Sequence, residues 1–548
     1  EEAQARFEQA VTHYPATWDA YLSLVELVNA GVPVDEYQRG LVDYYAGAYG
    51  PAIQALERYL DSGPETRLGS AYYFLALSYQ ATGQYYPAID TFQIVIDKYA
   101  GHEHWADAWL EQAASWAQLG DVEEAVGVYR QFAADYPDDP QAPTALWKSA
   151  RWLEEAGQPD AAAKAYTELQ RRYPQSEQAA KALLLAALNQ YRQRAYAETG
   201  ELLQLLAREY PGAEEALASR FWLGKALLAA GDDEGGRAEL RQVAAEAPLD
   251  FYGLRAAMLL SATNTITPVA APDSLDPDRP PKEKEEEEQA AAEAWLRTWI
   301  TDTVGGPLSA LPPALVESLS FRRAEELMAV GLRQEALAEY EKVRDAWIED
   351  LRVTYAMAIA FRDRGVYRLS IGCAERLLRL SPTGHFKAPP FMQRLSYPTY
   401  YGDLITAEAR AQGIDPLLYF ALIRQESLFE PGAGSRAGAR GLAQVMPDTG
   451  DYIASRTGWA DYKTEDLWKP YVSASFGAWY FAQALKTFDG NPFAALAAYN
   501  AGPGNAIRWY KIAPDDTDLF IEEIDMRETR YYVGAVYEQY AIYTFIYR

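Results

Sequence analysis

The chain has 548 residues, 49% apolar and 23% charged, which is the length of about three or four ordinary domains at ~150 residues each and excludes disorder throughout. Asp and Glu total 78 against 50 Lys and Arg, a formal charge of −28, so nucleic acid and anionic membrane surfaces, which demand the opposite sign, are poor partners. One cysteine, Cys373, and four histidines, His13, His102, His104 and His385, exclude a disulfide framework and a multi-thiolate metal site, and acid–base chemistry away from those histidines rests on carboxylates, Tyr or Lys. No apolar run approaches the roughly 18–20 residues that span a bilayer, so a soluble chain is expected. It opens at Glu1 with neither Met nor a signal-like stretch; a leader has been removed or none existed.

The first part is periodic. Tyr136-Pro137, Tyr173-Pro174 and Tyr210-Pro211 stand 37 residues apart, and Tyr99 and Pro248 extend the register in both directions. Gly83, Gly120, Gly157 and Gly231 keep the same spacing, with Arg194 in the remaining slot and Gly47 one step before. Small and aromatic residues at helical spacing fill the intervals. Each unit therefore reads as helix, Gly turn, helix and Tyr-Pro stop, because Pro disfavours helix in the residue before it. The Gly120-Asp121-x-x-x-Ala125 pattern, with Tyr129 and Pro137 following, resembles tetratricopeptide repeats, whose usual period of about 34 is lengthened here. An α-solenoid over residues 1–262 is expected, able to hold a neighbouring domain or to bind protein partners on a concave face.

Prolines 268, 272, 277, 280 and 281 and the run Lys282 to Glu288 predict a linker or loop over 263–290, with a new helix starting near Ala290. The four consecutive Glu residues read as a solvated helix start. Over 291–385 the Gly331 and Gly365 markers, 34 apart, predict two more helical hairpins, and Pro382, Gly384, Pro389 and Pro390 mark a boundary. Residues 386–548 carry only −4 of the charge and the preceding residues −24, so the acidity belongs to the repeat scaffold.

Asp415-Pro416 is a helix start, with Asp as cap and Pro at the first helical position. Leu418, Leu422 and Glu426 follow at intervals of four, which places Glu426 on an apolar stripe. The helix is expected to end near Glu430-Pro431-Gly432. Desolvation and the negative helix end both favour a protonated carboxyl there, and a carboxyl protonated near neutral pH is a general acid.

Arg424-Gln425-Glu426-Ser427 and Ser435 to Pro447, then Ala498-Tyr499-Asn500-Ala501-Gly502-Pro503-Gly504 and Glu528-Thr529-Arg530-Tyr531-Tyr532-Val533, resemble, in order, four motifs of the soluble lytic transglycosylases. Asp250-Phe251-Tyr252-Gly253 resembles an upstream element of that family's larger members. The resemblance implies an all-α chain, a helical-hairpin solenoid followed by a lysozyme-like domain over 386–548. It further implies cleavage of the β-1,4 bond between N-acetylmuramic acid and N-acetylglucosamine in peptidoglycan, without metal or cofactor, in the periplasm or cell envelope. Glu426 would be both acid and base, leaving 1,6-anhydromuramic ends. Ser435 and Gln444 match positions that bond the substrate or the carboxyl, Tyr499 matches one that contacts Glu426, and Asn500, Glu528 and Tyr532 match positions lining the cleft.

Three departures stand out. Ala443 occupies the family's Met position and is expected to remove a flexible apolar wall near the sugars; Ser473 replaces a usual Asn, and Ile524-Asp525-Met526 a usual Ile-Pro-Phe. Phe429, Trp468, Tyr471, Trp479, Trp509, Tyr510 and Tyr531 lie near the motifs, where most are expected to be core. Two rival functions are open: a hydrolytic muramidase, needing a second carboxylate such as Glu528, Asp451 or Asp461, and a non-enzymatic envelope scaffold using the repeats.

Overall fold

The computed structural model describes residues 2–261, 282–301 and 305–548 and forms two compact units, 1–243 and 244–548. Among the described residues it is helical, without named strands.

The first unit is built of helical hairpins such as Trp105–Gln118 with Val122–Asp135, Ala142–Glu155 with Pro159–Arg172, and Ala179–Arg192 with Tyr196–Glu209. The turn markers have one physical cause. Gly83, Gly120, Gly157 and Gly231 have φ of 75°, 91°, 71° and 89°, and Arg194, in the same slot, is forced to 63°. This left-handed region costs an L side chain about 1–2 kcal/mol, which is why Gly recurs there. The Tyr-Pro markers are equally local: Tyr136, Tyr173 and Tyr210 leave the helix at φ near −128° and ψ of 61°, 60° and 54°, outside the α region that a following Pro disfavours. Their rings then serve packing between repeats. Tyr136 meets Trp105 edge-on at 4.6 Å, and the Tyr210 hydroxyl donates to Pro174 O at 2.8 Å.

The second unit begins at Ala244 and includes the helix Phe251–Leu260. That helix is tied to the C-terminal region by a buried ion pair, Arg255 Nε to Asp518 Oδ1 at 2.6 Å and Nη2 to Oδ2 at 3.2 Å. Beside it the Tyr252 hydroxyl donates to Glu522 Oε1 at 2.6 Å and the Phe251 N–H to Glu538 Oε1 at 2.9 Å. The Asp250–Gly253 element is therefore a docking segment.

The prolines of the 263–290 linker lie outside the described residues. The helix expected near Ala290 starts at Lys282, so the Glu run is helical. It is also not merely solvated: Glu285 pairs with Arg362 at 3.0 Å and Glu288, one turn on, with Arg394. These contacts orient the helix so that Ala292 and Leu296 enter the core of the two predicted hairpins, Leu319–Ala329 with Arg333–Trp347 and Leu351–Asp363 with Tyr367–Leu380.

After the short helix Pro390–Ser396, the last part of the chain is a cluster of helices, many opened by Pro in the first turn: Pro416–Ser427 (the acid helix), Pro447–Thr457, Pro470–Thr487, Pro492–Ala501 and Pro503–Tyr510. The C-terminal helix Arg527–Tyr547 lies along the acid helix. Its face sends the Tyr532 hydroxyl to Glu426, Gln539 Nε2 to Gln425 Oε1 at 2.6 Å and the Tyr540 hydroxyl to Asp415 Oδ2 at 2.7 Å.

Two stability outcomes follow. Nothing lies within 4 Å of a Cβ built on Gly157, so Gly157→Ala costs only its backbone strain, about 1–2 kcal/mol in urea unfolding, whereas Arg194→Gly does not lower stability. Arg255→Ala removes the bidentate partner of the buried Asp518 carboxylate and lowers stability by up to about 3–5 kcal/mol; an unchanged unfolding midpoint would refute the docking role.

Candidate active site

Asp415 caps the acid helix by accepting from Leu417 N at 2.9 Å, and the helix ends at Ser427, three residues earlier than expected. Leu428 and Phe429 then take φ of 49° and 61°, turning the chain sharply after Glu426. The acid thus sits on the last helical turn, at the negative end of the dipole. Its neighbours in the motif are structural. Arg424 is buried, pairs with Glu375, donates from Nε to Ser396 O at 3.2 Å and lies 4.0 Å over the Tyr397 ring.

Glu426 is partly exposed toward a cavity of about 370 Å3 and otherwise enclosed by protein. Burial pushes its carboxyl up to about 7, against the opposing effect of the Tyr532 hydroxyl. That hydroxyl donates to Oε1 at 2.5 Å, which leaves Oε2 to carry the proton. Burial also holds Tyr532 well above the usual phenol range, so it stays a donor.

The cavity walls include Gln425, Ser427, Leu428, Glu430 and Gly432 to Gly434 on one side, and Gln334, Leu337 and Arg368 on the other. The second group was not found by motif reading, because it belongs to the hairpins before the boundary at 386. Glu430 was missed too. It is 2% exposed, and both its oxygens are taken by Arg333, Nε to Oε1 at 2.8 Å and Nη2 to Oε2 at 3.0 Å. A carboxylate four residues after the acid and beside a Pro-Gly turn gave only a weak signal.

The other predicted site residues divide into loop braces and cleft neighbours. Ser435 is exposed and its Oγ accepts from Ala439 N at 3.0 Å. Gln444, at φ 47°, donates from Nε2 to Ala433 O at 2.7 Å and Gly441 O at 2.8 Å. The Tyr499 hydroxyl donates to Ala443 O at 2.7 Å and lies close enough to Glu426 to feel its charge, while the hydrogen bond to the Glu426 carboxyl comes from Tyr532. Asn500 Oδ1 accepts from Thr529 Oγ1 at 2.7 Å, tying the end of Pro492–Ala501 to the C-terminal helix. Glu528 is exposed, one turn before Tyr532; its neighbour Arg530 turns to Ile524 O and Glu522. Asp451 and Asp461 are also exposed.

Ala443, at the position where the family's Met is absent, turns inward. It is fully buried in a cluster with Val445, Ile453 and Phe476, and a Cβ on Gly477 would collide with its methyl and lie 2.8 Å from the Tyr419 hydroxyl and 3.0 Å from that of Tyr499. Gly477 thus lets three groups converge under the motif loop, while Ser473 Oγ accepts from Ala443 N at 3.0 Å. Among the aromatics Phe429 and Trp509 are core, whereas Trp468, Tyr471 and Tyr531 are exposed.

Comparison with known proteins fits this site. Residues 403–518 match the family described as Transglycosylase SLT domain, and residues 73–140 and 144–176 match tetratricopeptide repeats. The repeat matches thus precede the transglycosylase-domain match along the chain. It is 35% identical over 150 residues to the soluble lytic murein transglycosylase of Salmonella typhimurium, covering 27% of this chain and 23% of that one. It is 32% identical over 152 residues to the Escherichia coli K12 protein of the same name, covering 27% and 24%. The match therefore spans about a quarter of the length of these curated relatives. The crystal structure of an inactive mutant of lytic transglycosylase Slt from Pseudomonas aeruginosa superposes with a TM-score of 0.60 at 20% identity, over 99% of this chain and 78% of that one. At that identity the likeness is one of fold.

The raised carboxyl gives a signed pH prediction. An unfolded Glu ionises near 4.5 and the folded Glu426 near 7, so between these values the unfolded state binds fewer protons and stability falls as pH rises. Glu426→Gln lacks this penalty. Its melting temperature relative to the parent therefore rises from pH 5 to pH 8; a difference independent of pH would contradict the burial-raised carboxyl.

Proposed function

We propose that the chain is a peptidoglycan lytic transglycosylase, with residues 386–548 as its catalytic domain and Glu426 as its one acid–base group. The observation that carries the reading is a carboxyl, within the segment matching the transglycosylase domain, that burial holds protonated near neutrality and Tyr532 fixes at the edge of a cavity. Glu426 Oε2 gives its proton to the glycosidic oxygen between N-acetylmuramic acid and N-acetylglucosamine. The resulting carboxylate takes the proton of the muramoyl 6-hydroxyl, whose oxygen closes on C1 as a 1,6-anhydro ring. A tethered hydroxyl at high effective concentration replaces the activated water of an ordinary glycosidase. Ser435, Gln444, Tyr499, Asn500 and Glu528 are assigned to the surrounding sugar-binding cleft, the first two through the loop they brace, and Tyr532 orients the acid.

The hydrolytic alternative needs a free second carboxylate. Glu430 is at the cavity, but Arg333 occupies both its oxygens, which supports the intramolecular route. A substrate of this kind places the protein in the periplasm or cell envelope. Among the described residues no helix is long and apolar enough to cross a membrane. The solenoid of residues 1–262 is assigned to contacts with protein partners or glycan, and residues 291–385 to support of the catalytic domain.

Mass spectrometry of fragments released from purified peptidoglycan tests the reading. Anhydromuramic ends are expected, with activity falling about tenfold per pH unit well above pH 7 as the acid ionises, and with loss of at least about 100-fold in Glu426→Gln. Reducing ends would establish the hydrolase, and no release by the folded parent would leave the scaffold.

A further inference from the structure

The wall formed by Gln334, Leu337 and Arg368 lies outside the 403–518 match, yet it is fastened to the motif loop. Arg333 holds Glu430 with two hydrogen bonds and donates from Nη2 to Gly365 O at 2.5 Å, while Gln334 Nε2 donates to Gly432 O at 2.7 Å. The hairpin pair and the loop after the acid are thus joined around one cavity.

The charges in that cavity are unequal in their freedom. Glu426 is largely neutral below its raised value, and Glu430 and Arg333 satisfy each other. Arg368 is different. Its Nη2 meets Glu341, and both side chains are substantially exposed, at 40% and 34%. A guanidinium has five N–H donors in a planar fork, so one partner on a solvated edge leaves donors for a second. The proton affinity of Glu426 is governed by burial and Tyr532. Arg368 lines the same cavity as Glu426, so its remaining donors are within reach of a ligand seated there. Planar, bidentate recognition by Arg favours a carboxylate.

We infer that Arg368 is a specificity-determining residue that binds a carboxylate on the saccharide lying beside Glu426. Resting on the reaction proposed above, that carboxylate belongs to a stem peptide of the glycan. A free lactyl carboxylate, exposed when peptides are removed, shares the chemistry and is separated by the test.

The full chain, Arg368→Ala and Arg368→Lys are compared on three substrates: peptide-bearing strands, the same strands with their peptide carboxylates converted to amides, and strands stripped of peptide. One charge-assisted contact is worth about 1.5–3 kcal/mol, so amidation is expected to lower kcat/KM of the parent at least about tenfold. Arg368→Ala should show the same loss on peptide-bearing strands and match the parent on amidated ones, with Arg368→Lys keeping part of the preference. A gap confined to stripped strands moves the contact to the lactyl group and overturns the stem-peptide assignment. Equal losses on all three substrates, or none, overturn the inference while cleavage by the parent leaves the proposed reaction standing. A folded parent that releases nothing from any substrate overturns both.

Discussion

The hydrogen bond from Tyr532 to Glu426 is the contact on which the helices around the candidate site converge. It spans 106 residues of sequence and exists because the C-terminal helix lies along the acid helix, with Gln539 on Gln425 and Tyr540 on Asp415 as further rungs. Those contacts hold the carboxyl where burial raises its proton affinity while one edge faces the cavity. A hydroxyl donor favours the carboxylate and burial disfavours it; burial wins, and the balance lies near 7. Each half of the proposed cycle, giving a proton and then taking one, is accessible at that value.

Much of the surrounding polar structure serves position instead of chemistry. Arg424, Ser435, Gln444 and Ser473 all stand in or beside the motifs, and all direct their side-chain bonds at backbone or structural partners. The loop from Leu428 to Val445 has little regular structure and several left-handed residues, so its shape depends on such braces. Gly477 contributes by absence: without a Cβ it admits Ala443 and two tyrosine hydroxyls into one small volume. A motif residue is thus not necessarily a residue that touches substrate.

The site is also larger than the domain that the motifs outline. The helix Arg333–Trp347 reaches the loop through Glu430 and Gly432, and the helix Phe251–Leu260 is locked to Asp518 and Glu522 by buried polar contacts. Such contacts are strong only because both partners are withdrawn from water. They make segments that read as scaffold into supports of the site.

The amino-acid sequence by itself determined the repeats and the position of the acid. Gly at the 37-residue turn and Tyr before Pro are backbone preferences acting over a few residues, and they are visible wherever they occur; the Asp-Pro start and apolar stripe that carry Glu426 are of the same short range. Tertiary structure decided what that carboxyl meets. The hydrogen bond from Tyr532, the burial of Ala443, the neutralisation of Glu430 and the wall bearing Arg368 all depend on residues distant in sequence. Electrostatics and packing follow distance in space, and only folding brings these groups within reach of one another.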